Sequence, residues 1–259
     1  MTRWWLPGRL HHGEEATLVE HLDELRSRII ISLVAIVPTF LLTFAFHERI
    51  MEWMTRPLPA DRDLITFGVT EPFTTSIKVS LIAALALALP VVLWQVWAFL
   101  APAVQPHFQR VVLVFVLIAT ALFACGVVFM YYVVLPIALD FLTSYDEELY
   151  DIQVRASYYY SFVAVVLLAG GLTFLMPIFL LGLVRLRIVS ASRLRSNRRI
   201  AFVLLLCFAI LLPTVDPVSL AFEVIPLVLL YEASIWAAVL MERRWERAWE
   251  EELVGARST

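Results

Sequence analysis

The sequence predicts an all-α fold: a polytopic membrane protein whose six transmembrane helices form a kinked, concave bundle. The chain of 259 residues is 61% hydrophobic and only 17% charged, a balance too apolar for the surface of a soluble domain. The apolar residues form runs of about 20, long enough for a helix to cross roughly 30 Å of hydrocarbon. Prolines fall inside these runs, among them Pro38, Pro90, Pro136 and Pro177, and each of these four predicts a kink that would curve the bundle.

The predicted spans follow one another with short polar connections. They cover residues 29–46, 77–100, 111–137, 158–184, 200–212 and 218–240. The fifth is short for a full crossing. It is interpreted either as a true span, matched by local thinning of the bilayer, or as a re-entrant segment. The charges on either side favour a true span, because they require the chain to change sides there. In the fourth span, Gly170 and Gly171 are expected to let neighbouring helices approach closely.

The basic residues predict that both termini lie in the cytoplasm. Fifteen of the twenty Lys and Arg residues fall on the side that holds both termini, and five fall on the other side. The connection between the fourth and fifth spans, residues 185–199, carries six arginines and no acid. Short, arginine-rich segments stay on the cytoplasmic side of a membrane. No cleavable leader is expected, so the first span is interpreted as a retained anchor.

A polar extension flanks the predicted membrane domain, residues 29–240, at each end. Residues 1–28 combine apolar positions at helical spacing with five acids, which are Glu14, Glu15, Glu20, Asp23 and Glu24. This segment is interpreted as an amphipathic helix that either lies along the headgroups or recruits a basic partner. Residues 241–259 carry mixed charge, which is typical of a solvated helix, and no site is assigned to them.

Two carboxylates lie inside the sixth apolar run, Glu223 and Glu232, while Asp216 and Thr214 precede it. A charged side chain is costly within a bilayer, so these four residues form a candidate polar membrane site or a contact for a partner subunit. Glu232 lies near the end of the run, where it can reach interfacial water. Glu223 is expected to contact protein rather than lipid.

Several classes of function find no support in the sequence. The five histidines match no metal-binding spacing, and there is no nucleotide-binding glycine loop or catalytic constellation. Cys125 and Cys207 lie within apolar runs and are expected to be free thiols. The net charge of −3 gives no reason to expect a nucleic-acid partner. No cofactor, metal or enzymatic activity is therefore predicted.

Five segments, in the order in which they occur, resemble motifs of one family of membrane proteins. They are HLDELRSR (21–28), TEPFTTSIKVSL (70–81), LPVVLWQVWAFLAPAV (89–104), YYVVLPIALDFL (131–142) and PTVDPVSLAFEVIPLVLLYEASI (213–235). Together they are similar to the TatC family, whose members are receptor subunits of the twin-arginine protein translocase. The resemblance covers nearly the whole chain.

This resemblance implies a cytoplasmic-membrane protein with six spans that receives the paired arginines of a signal peptide. It also implies single-span partners of the TatA and TatB types, homo- and hetero-oligomers, and export of folded proteins driven by the proton-motive force. The binding site is expected in the N-terminal segment and in the loop after the second span. The candidate residues for signal-peptide binding are His21, Leu22, Asp23, Glu24, Arg26, Phe99, Phe108 and Arg110.

The chain departs from the family pattern at positions where relatives carry polar groups. Phe108 stands where the family has a glutamate. Leu175 and Met176 precede Pro177, next to which the family has a buried glutamate. Leu220 stands where many relatives carry a polar residue thought to meet a partner helix.

The combination of matching motifs and missing polar groups allows three interpretations. The chain is a divergent receptor whose acidic N-terminal helix supplies the missing charge, or a paralogue that keeps the fold and binds altered signals. The third is a small-solute carrier built on Glu223 and Glu232. The carrier leaves the N-terminal motif unexplained.

Overall fold

A computed structural model describes residues 18–59, 62–100, 108–145, 148–149, 152–185, 188–210 and 217–257. Ten α-helices, a π-helical turn and two very short strands make up this part of the chain. They are α1 (Leu18–Ala45), α2 (His47–Thr55), β1 (Leu64–Ile65), α3 (Glu71–Leu100), α4 (Phe108–Phe129), the π turn (Met130–Val134), α5 (Leu135–Ser144), β2 (Val154–Arg155), α6 (Ala156–Thr173), α7 (Met176–Arg185), α8 (Ala191–Ser196), α9 (Arg198–Ile210) and α10 (Pro217–Arg257). The predicted helical class is confirmed.

Within these described residues, five helical stretches are long and apolar enough to cross a membrane. They are Leu22–Ala45, Glu71–Phe99, Val112–Ser144, Ala156–Arg185 and Pro217–Arg243. The fifth predicted span corresponds to α9, which has 13 residues and is therefore about 20 Å long. That length is short of the roughly 30 Å hydrocarbon core, so the count of six spans stays a prediction.

The helices extend beyond the predicted spans into polar sequence. The described N-terminal residues belong to α1, which begins at Leu18 and continues without interruption into the first span. At the other end, α10 continues to Arg257, well past the predicted boundary at residue 240. A helix satisfies its backbone hydrogen bonds internally, so it can run from hydrocarbon into water without a break. Apolar composition locates a span but does not locate the end of its helix.

Two of the four prolines predicted to kink a span coincide with interruptions. Pro136 follows the π turn, and Pro177 follows a two-residue break at Phe174 and Leu175. Proline lacks the N–H that would continue the helical ladder, and its ring crowds the carbonyl four residues earlier. The helical assignment continues through Pro38 in α1 and Pro90 in α3, so kinks at these two positions stay predictions.

The core forms where α6 lies against α3 and α4. Its buried side chains include Val79, Met130, Val134, Val163 and Val166. A Cβ atom added at Gly171 would lie 2.7 Å from Phe123 Cε2, and one added at Gly170 would collide with Met130. Both glycines thus lie in close contact with α4 and the π turn, as predicted, because an added Cβ atom would force neighbouring side chains to move.

A buried carboxylate ties together the ends of α3 and α6 on the side opposite the arginine-rich connection. Glu71 Oε1 accepts hydrogen bonds from Arg155 Nε at 2.8 Å and from the Ser157 amide at 3.3 Å. Oε2 accepts from Arg155 Nη2 at 3.2 Å and from the amides of Phe67 and Gly68 at 3.0 and 3.3 Å. We call this arrangement the Glu71–Arg155 clamp.

The surrounding elements reinforce this clamp. β1 and β2 pair in parallel, with Leu64 opposite Val154 and Ile65 opposite Arg155. The Arg155 guanidinium also lies over the rings of Phe67 and Tyr158, 5.5 and 5.1 Å from their centroids. The hydrogen bond to the Glu71 carboxylate raises the pKa of the Arg155 guanidinium. The guanidinium therefore stays charged throughout the physiological range.

Glu71→Gln should lower the thermal unfolding midpoint of the purified protein, because an amide cannot accept all five hydrogen bonds and leaves Arg155 without its counter-charge. Glu48→Gln is the matched control, since Glu48 is exposed in the first turn of α2. Thermal unfolding in detergent, monitored by intrinsic fluorescence, measures the midpoint of each variant. Equal midpoints for the two variants would show that the clamp contributes nothing to stability.

Candidate functional site

A polar network joins the first part of α1 to the last turns of α3. Glu24 Oε1 accepts hydrogen bonds from Arg28 Nε at 3.0 Å and from Arg28 Nη2 at 2.5 Å. Arg28 Nη1 in turn donates to Gln95 Oε1 at 3.3 Å. The Arg28 and Glu24 side chains are only 16% and 15% exposed. The spacing of four residues, with the acid first, brings Glu24 and Arg28 together on one face of the helix.

This Glu24–Arg28–Gln95 network lies among several of the residues predicted to bind a signal peptide. Leu22, Asp23 and Arg26 are exposed on the same turns of α1. Phe99 is partly exposed on α3, four residues beyond Gln95, and so lies on the same face of that helix. The structure thus brings the N-terminal motif close to the residues that lead into the loop after the second span.

For three of the predicted binding residues, the structure describes the backbone but not the side chain. The backbone of His21 belongs to α1, and those of Phe108 and Arg110 belong to the first turn of α4. Their side chains, like residues 101–107, lie outside the described part of the structure. Their proximity to Glu24 stays a prediction.

The end of α3 is held in place by a tryptophan. Trp97 is buried and meets Phe115 edge to face, with ring centroids 5.0 Å apart, in a cluster with Val112 and Val116 of α4. On the other side it touches α7 so closely that a Cβ added at Gly182 would collide with the indole ring. Because Gln95 and Phe99 lie two residues before and after Trp97, this packing positions the segment of α3 that carries both residues.

The break between α6 and α7 holds apolar side chains. Leu175 and Met176 are partly buried, and Phe174 is buried. A Cβ added at Gly126 of α4 would lie 2.8 Å from Phe174 Cγ, so Phe174 packs directly on the α4 backbone. Apolar side chains fill this break, and Phe174, Leu175 and Met176 provide no carboxylate.

The candidate polar membrane site of the sixth span does not come together as one site. Glu223 is only 2% exposed, in agreement with the expectation that it contacts protein. Glu232 pairs with Arg198, whose Nη2 lies 2.7 Å from its Oε2. Nine residues separate the two acids, about 14 Å along α10 and roughly half a turn around it. Thr214 and Asp216 lie outside the described residues.

Two members of the polar network were not among the predicted site residues. Arg28 was recognisable from the spacing Glu24–Arg28, because an acid four residues before a base is a stabilising helical pair. Gln95 is a polar residue near the end of an otherwise apolar run. No local pattern links it to α1, 67 residues away along the chain.

The fold and this network define a multi-pass helical membrane protein with a polar site on one membrane face. The model of the family described as Sec-independent protein translocase protein (TatC) matches residues 20–226. The chain therefore belongs to the TatC family. Members of this family are components of a protein translocase, which makes this chain a transport protein and not a member of a known enzyme family.

Curated relatives and solved structures agree with this assignment. The TatC protein of Magnetococcus marinus is 35% identical over 89% of this chain and 87% of its own length. That of Carboxydothermus hydrogenoformans is 34% identical over 86% of this chain and 92% of its own. A crystal structure of the twin arginine translocase receptor TatC in DDM superposes with a TM-score of 0.75 at 34% identity, covering 84% of this chain and 99% of that chain.

Proposed function

We propose that this protein is the receptor and core subunit of a twin-arginine translocase in the cytoplasmic membrane. It binds twin-arginine signal peptides on the cytoplasmic face and helps to export folded proteins. The observation that carries the proposal is the Glu24–Arg28–Gln95 network, which links the N-terminal motif to the second span. The family implies that both segments form the signal-peptide site.

The proposed orientation places both termini and the arginine-rich connection in the cytoplasm. Its support is the excess of arginine on that side. The proposal also includes six spans, with α9 crossing a locally thinned bilayer.

In intact cells, a cysteine introduced by Arg195→Cys should resist an impermeant thiol reagent, whereas one introduced by Leu149→Cys should react. Both positions are exposed, so a difference reports the side of the membrane. The background must lack Cys125 and Cys207, because both native thiols are exposed. Labelling of position 195 from outside would contradict the six-span topology.

Glu24 is the carboxylate best suited to read an incoming arginine. Arg28 bonds only its Oε1, and among the described residues none donates to Oε2. A carboxylate has about four acceptor sites, so a second guanidinium can bind beside the first. Arg28 then acts as a positioning residue, because its bond to Gln95 fixes the direction in which Glu24 points. A guanidinium suits such a site better than an ammonium, since it donates through a planar fork.

Glu24→Gln should weaken binding of a twin-arginine signal peptide by about ten-fold or more, because a charge-assisted hydrogen bond contributes about 1.5–3 kcal/mol. Asp23→Asn should weaken binding less, because it removes the same charge from a neighbouring side chain that is exposed. Site-specific cross-linking to peptides with Arg-Arg or Lys-Lys measures the difference. An unchanged signal in the double variant would exclude α1 as the site that reads arginine.

The partner subunits are proposed to be single-span proteins of the TatA and TatB types, in homo- and hetero-oligomers with this chain. Thr214, Asp216, Glu223 and Glu232 are the candidate contacts. The small-solute carrier is less well supported, because Glu223 and Glu232 lie on opposite sides of α10 and the family transports proteins.

The second candidate is a paralogue with altered signal recognition. Its support is the apolar character of two positions where the family carries acids, namely Phe108 and the Leu175–Met176 pair. The two interpretations predict opposite effects for one substitution, because a missing carboxylate weakens an arginine receptor but suits a receptor for another signal.

Phe108→Glu should tighten binding of an Arg-Arg peptide if the chain is a weakened twin-arginine receptor. The same change should leave binding unchanged or reduce it in a paralogue, since it removes an apolar contact. Gln109→Glu adds the same charge one position along and is the control for a general electrostatic effect. Peptide affinity, compared between Arg-Arg and Lys-Lys, decides between the two. No preference for Arg-Arg in any variant would rule out the receptor function.

A further inference from the structure

We propose that Lys78, together with Arg155 of the Glu71–Arg155 clamp, binds the phosphate of a bilayer phospholipid. Lys78 is the only lysine in the chain, and no other Asp, Glu, Lys or Arg occurs between Glu71 and Arg110. It is exposed within the stretch of α3 that is long and apolar enough to cross a membrane. Among the described residues, no carboxylate forms an ion pair with it. A charge at such a position is costly unless it reaches a partner or the interface.

Lys78 lies on the face of α3 that the other helices leave uncovered. The opposite sides are occupied: Val79 belongs to the core beside α6, and the Ser80 carbonyl accepts a hydrogen bond from Thr43 Oγ1 of α1 at 2.8 Å. The uncovered face carries exposed residues at helical spacing, which are Thr74, Lys78, Leu81 and Leu85. In a membrane this face meets lipid, and its two leucines offer an apolar surface to an acyl chain.

The polar groups at the two ends of α3 set the depth of Lys78. Glu71 of the clamp and Gln95 of the polar network are about 36 Å apart along the helix axis, close to the roughly 30 Å of the hydrocarbon core. Lys78 lies two turns from Glu71, about 10 Å deeper. Helical side chains tilt toward the helix N-terminus, which in α3 is the clamp end. The Lys78 ammonium therefore extends about one turn toward the headgroups, as snorkelling lysines do.

The clamp provides a second cation above Lys78. Because Glu71 and Lys78 are seven residues apart, they lie on the same side of α3. Arg155 donates to Glu71 through Nε and Nη2, and no described residue accepts a hydrogen bond from its Nη1. About one helical turn, roughly 5 Å, separates the raised ammonium from the level of the clamp. A phosphate at that level can accept from both groups, and Glu71 repels it little because Arg155 balances its charge.

Exposed aromatic rings place the clamp at the level of the headgroups. The Arg155 guanidinium lies over the rings of Phe67 and Tyr158, and both of these side chains are 71% exposed. Tyrosine is enriched where membrane and water meet. Below Tyr158, Val165 and Leu172 are exposed on α6 at seven-residue intervals, so this helix also presents an apolar stripe toward lipid.

A lipid phosphate suits this position better than a carboxylate on a partner helix. A partner carboxylate would itself have to lie at the edge of the hydrocarbon, which is costly. Lipid phosphates are present at the headgroup level all around the protein, and each brings acyl chains that can lie along Leu81 and Leu85. An ammonium binds phosphate as a point charge, so it requires no fixed orientation of the headgroup.

Site-specific photo-cross-linking of the delipidated protein in detergent tests the proposal. A benzophenone amino acid in place of Leu81, one turn below Lys78, reports lipid at this site. Phosphatidylglycerol should bind there about ten-fold more tightly than diacylglycerol with the same acyl chains, which lacks the phosphate. Mass spectrometry of the adduct, as a function of lipid concentration, gives the two affinities.

Lys78→Gln should abolish this preference for the phosphate. The matched control is Arg49→Gln, which removes the same charge from an exposed residue of α2 whose guanidinium lies over the Phe46 ring. This control should keep the preference. Thr74→Lys added to Lys78→Gln should restore it, because position 74 is on the same face one turn nearer to the clamp.

Arg155→Lys tests the second cation. It keeps the positive charge beside Glu71 but removes the donor at Nη1, so it should reduce the preference several-fold without abolishing it. The thermal unfolding midpoint of the same variant separates this effect from a loss of the clamp.

Three results would overturn the proposal. The first is equal affinity for the two lipids, and the second is an equal loss of preference in Lys78→Gln and Arg49→Gln. Either one shows that Lys78 does not bind the phosphate. The third is displacement of the lipid by inorganic phosphate or by a co-purified single-span subunit, which assigns the site to another occupant. None of them bears on signal-peptide binding at Glu24, which lies by the opposite end of α3.

Discussion

The hydrocarbon core of a bilayer offers no water to satisfy backbone hydrogen bonds, and this constraint governs the rest of the structure. Helices satisfy those bonds within one segment, which is why the long apolar stretches are helical. Irregular backbone at membrane depth is tolerated only where protein covers it. Among the described residues, the π turn and the break between α6 and α7 are covered on the side that faces the core. Met130, Tyr131 and Val134 of the π turn are buried, and so are Thr173 and Phe174 at the break between α6 and α7.

The same constraint explains why these interruptions lie beside glycines. Covering an irregular backbone requires a neighbouring helix to come unusually close, and Gly126, Gly170 and Gly171 provide that approach. Phe174 packs on Gly126, and Met130 packs on Gly170. Each proline that breaks a helix is thus matched by a glycine on the helix that shields the break. The prolines and glycines act as one structural device, although they are far apart in sequence.

Sequence reasoning succeeded where the signal was local. Apolar runs located the membrane helices, and paired glycines located a close contact, because both depend on residues within a few turns. It did not find the Glu71–Arg155 clamp, whose partners are 84 residues apart, or the bond from Arg28 to Gln95. Contacts between distant segments depend on which helices pack together, and a single sequence does not carry that information. The sequence therefore did not predict that Arg28 and Gln95 are the partners of Glu24, and signal-peptide binding at the predicted residues stays a prediction.

The unbroken length of α10 has a mechanical consequence. With 41 residues the helix is about 60 Å long, twice the thickness of the hydrocarbon core. Its last seventeen residues therefore project about 25 Å beyond the apolar run. Beyond Pro226 the helix continues to Arg257 without a break, so a small tilt of its membrane-embedded part moves the far end through a larger arc. Small movements of α10 within the bilayer thus become larger movements of its end in the surrounding water.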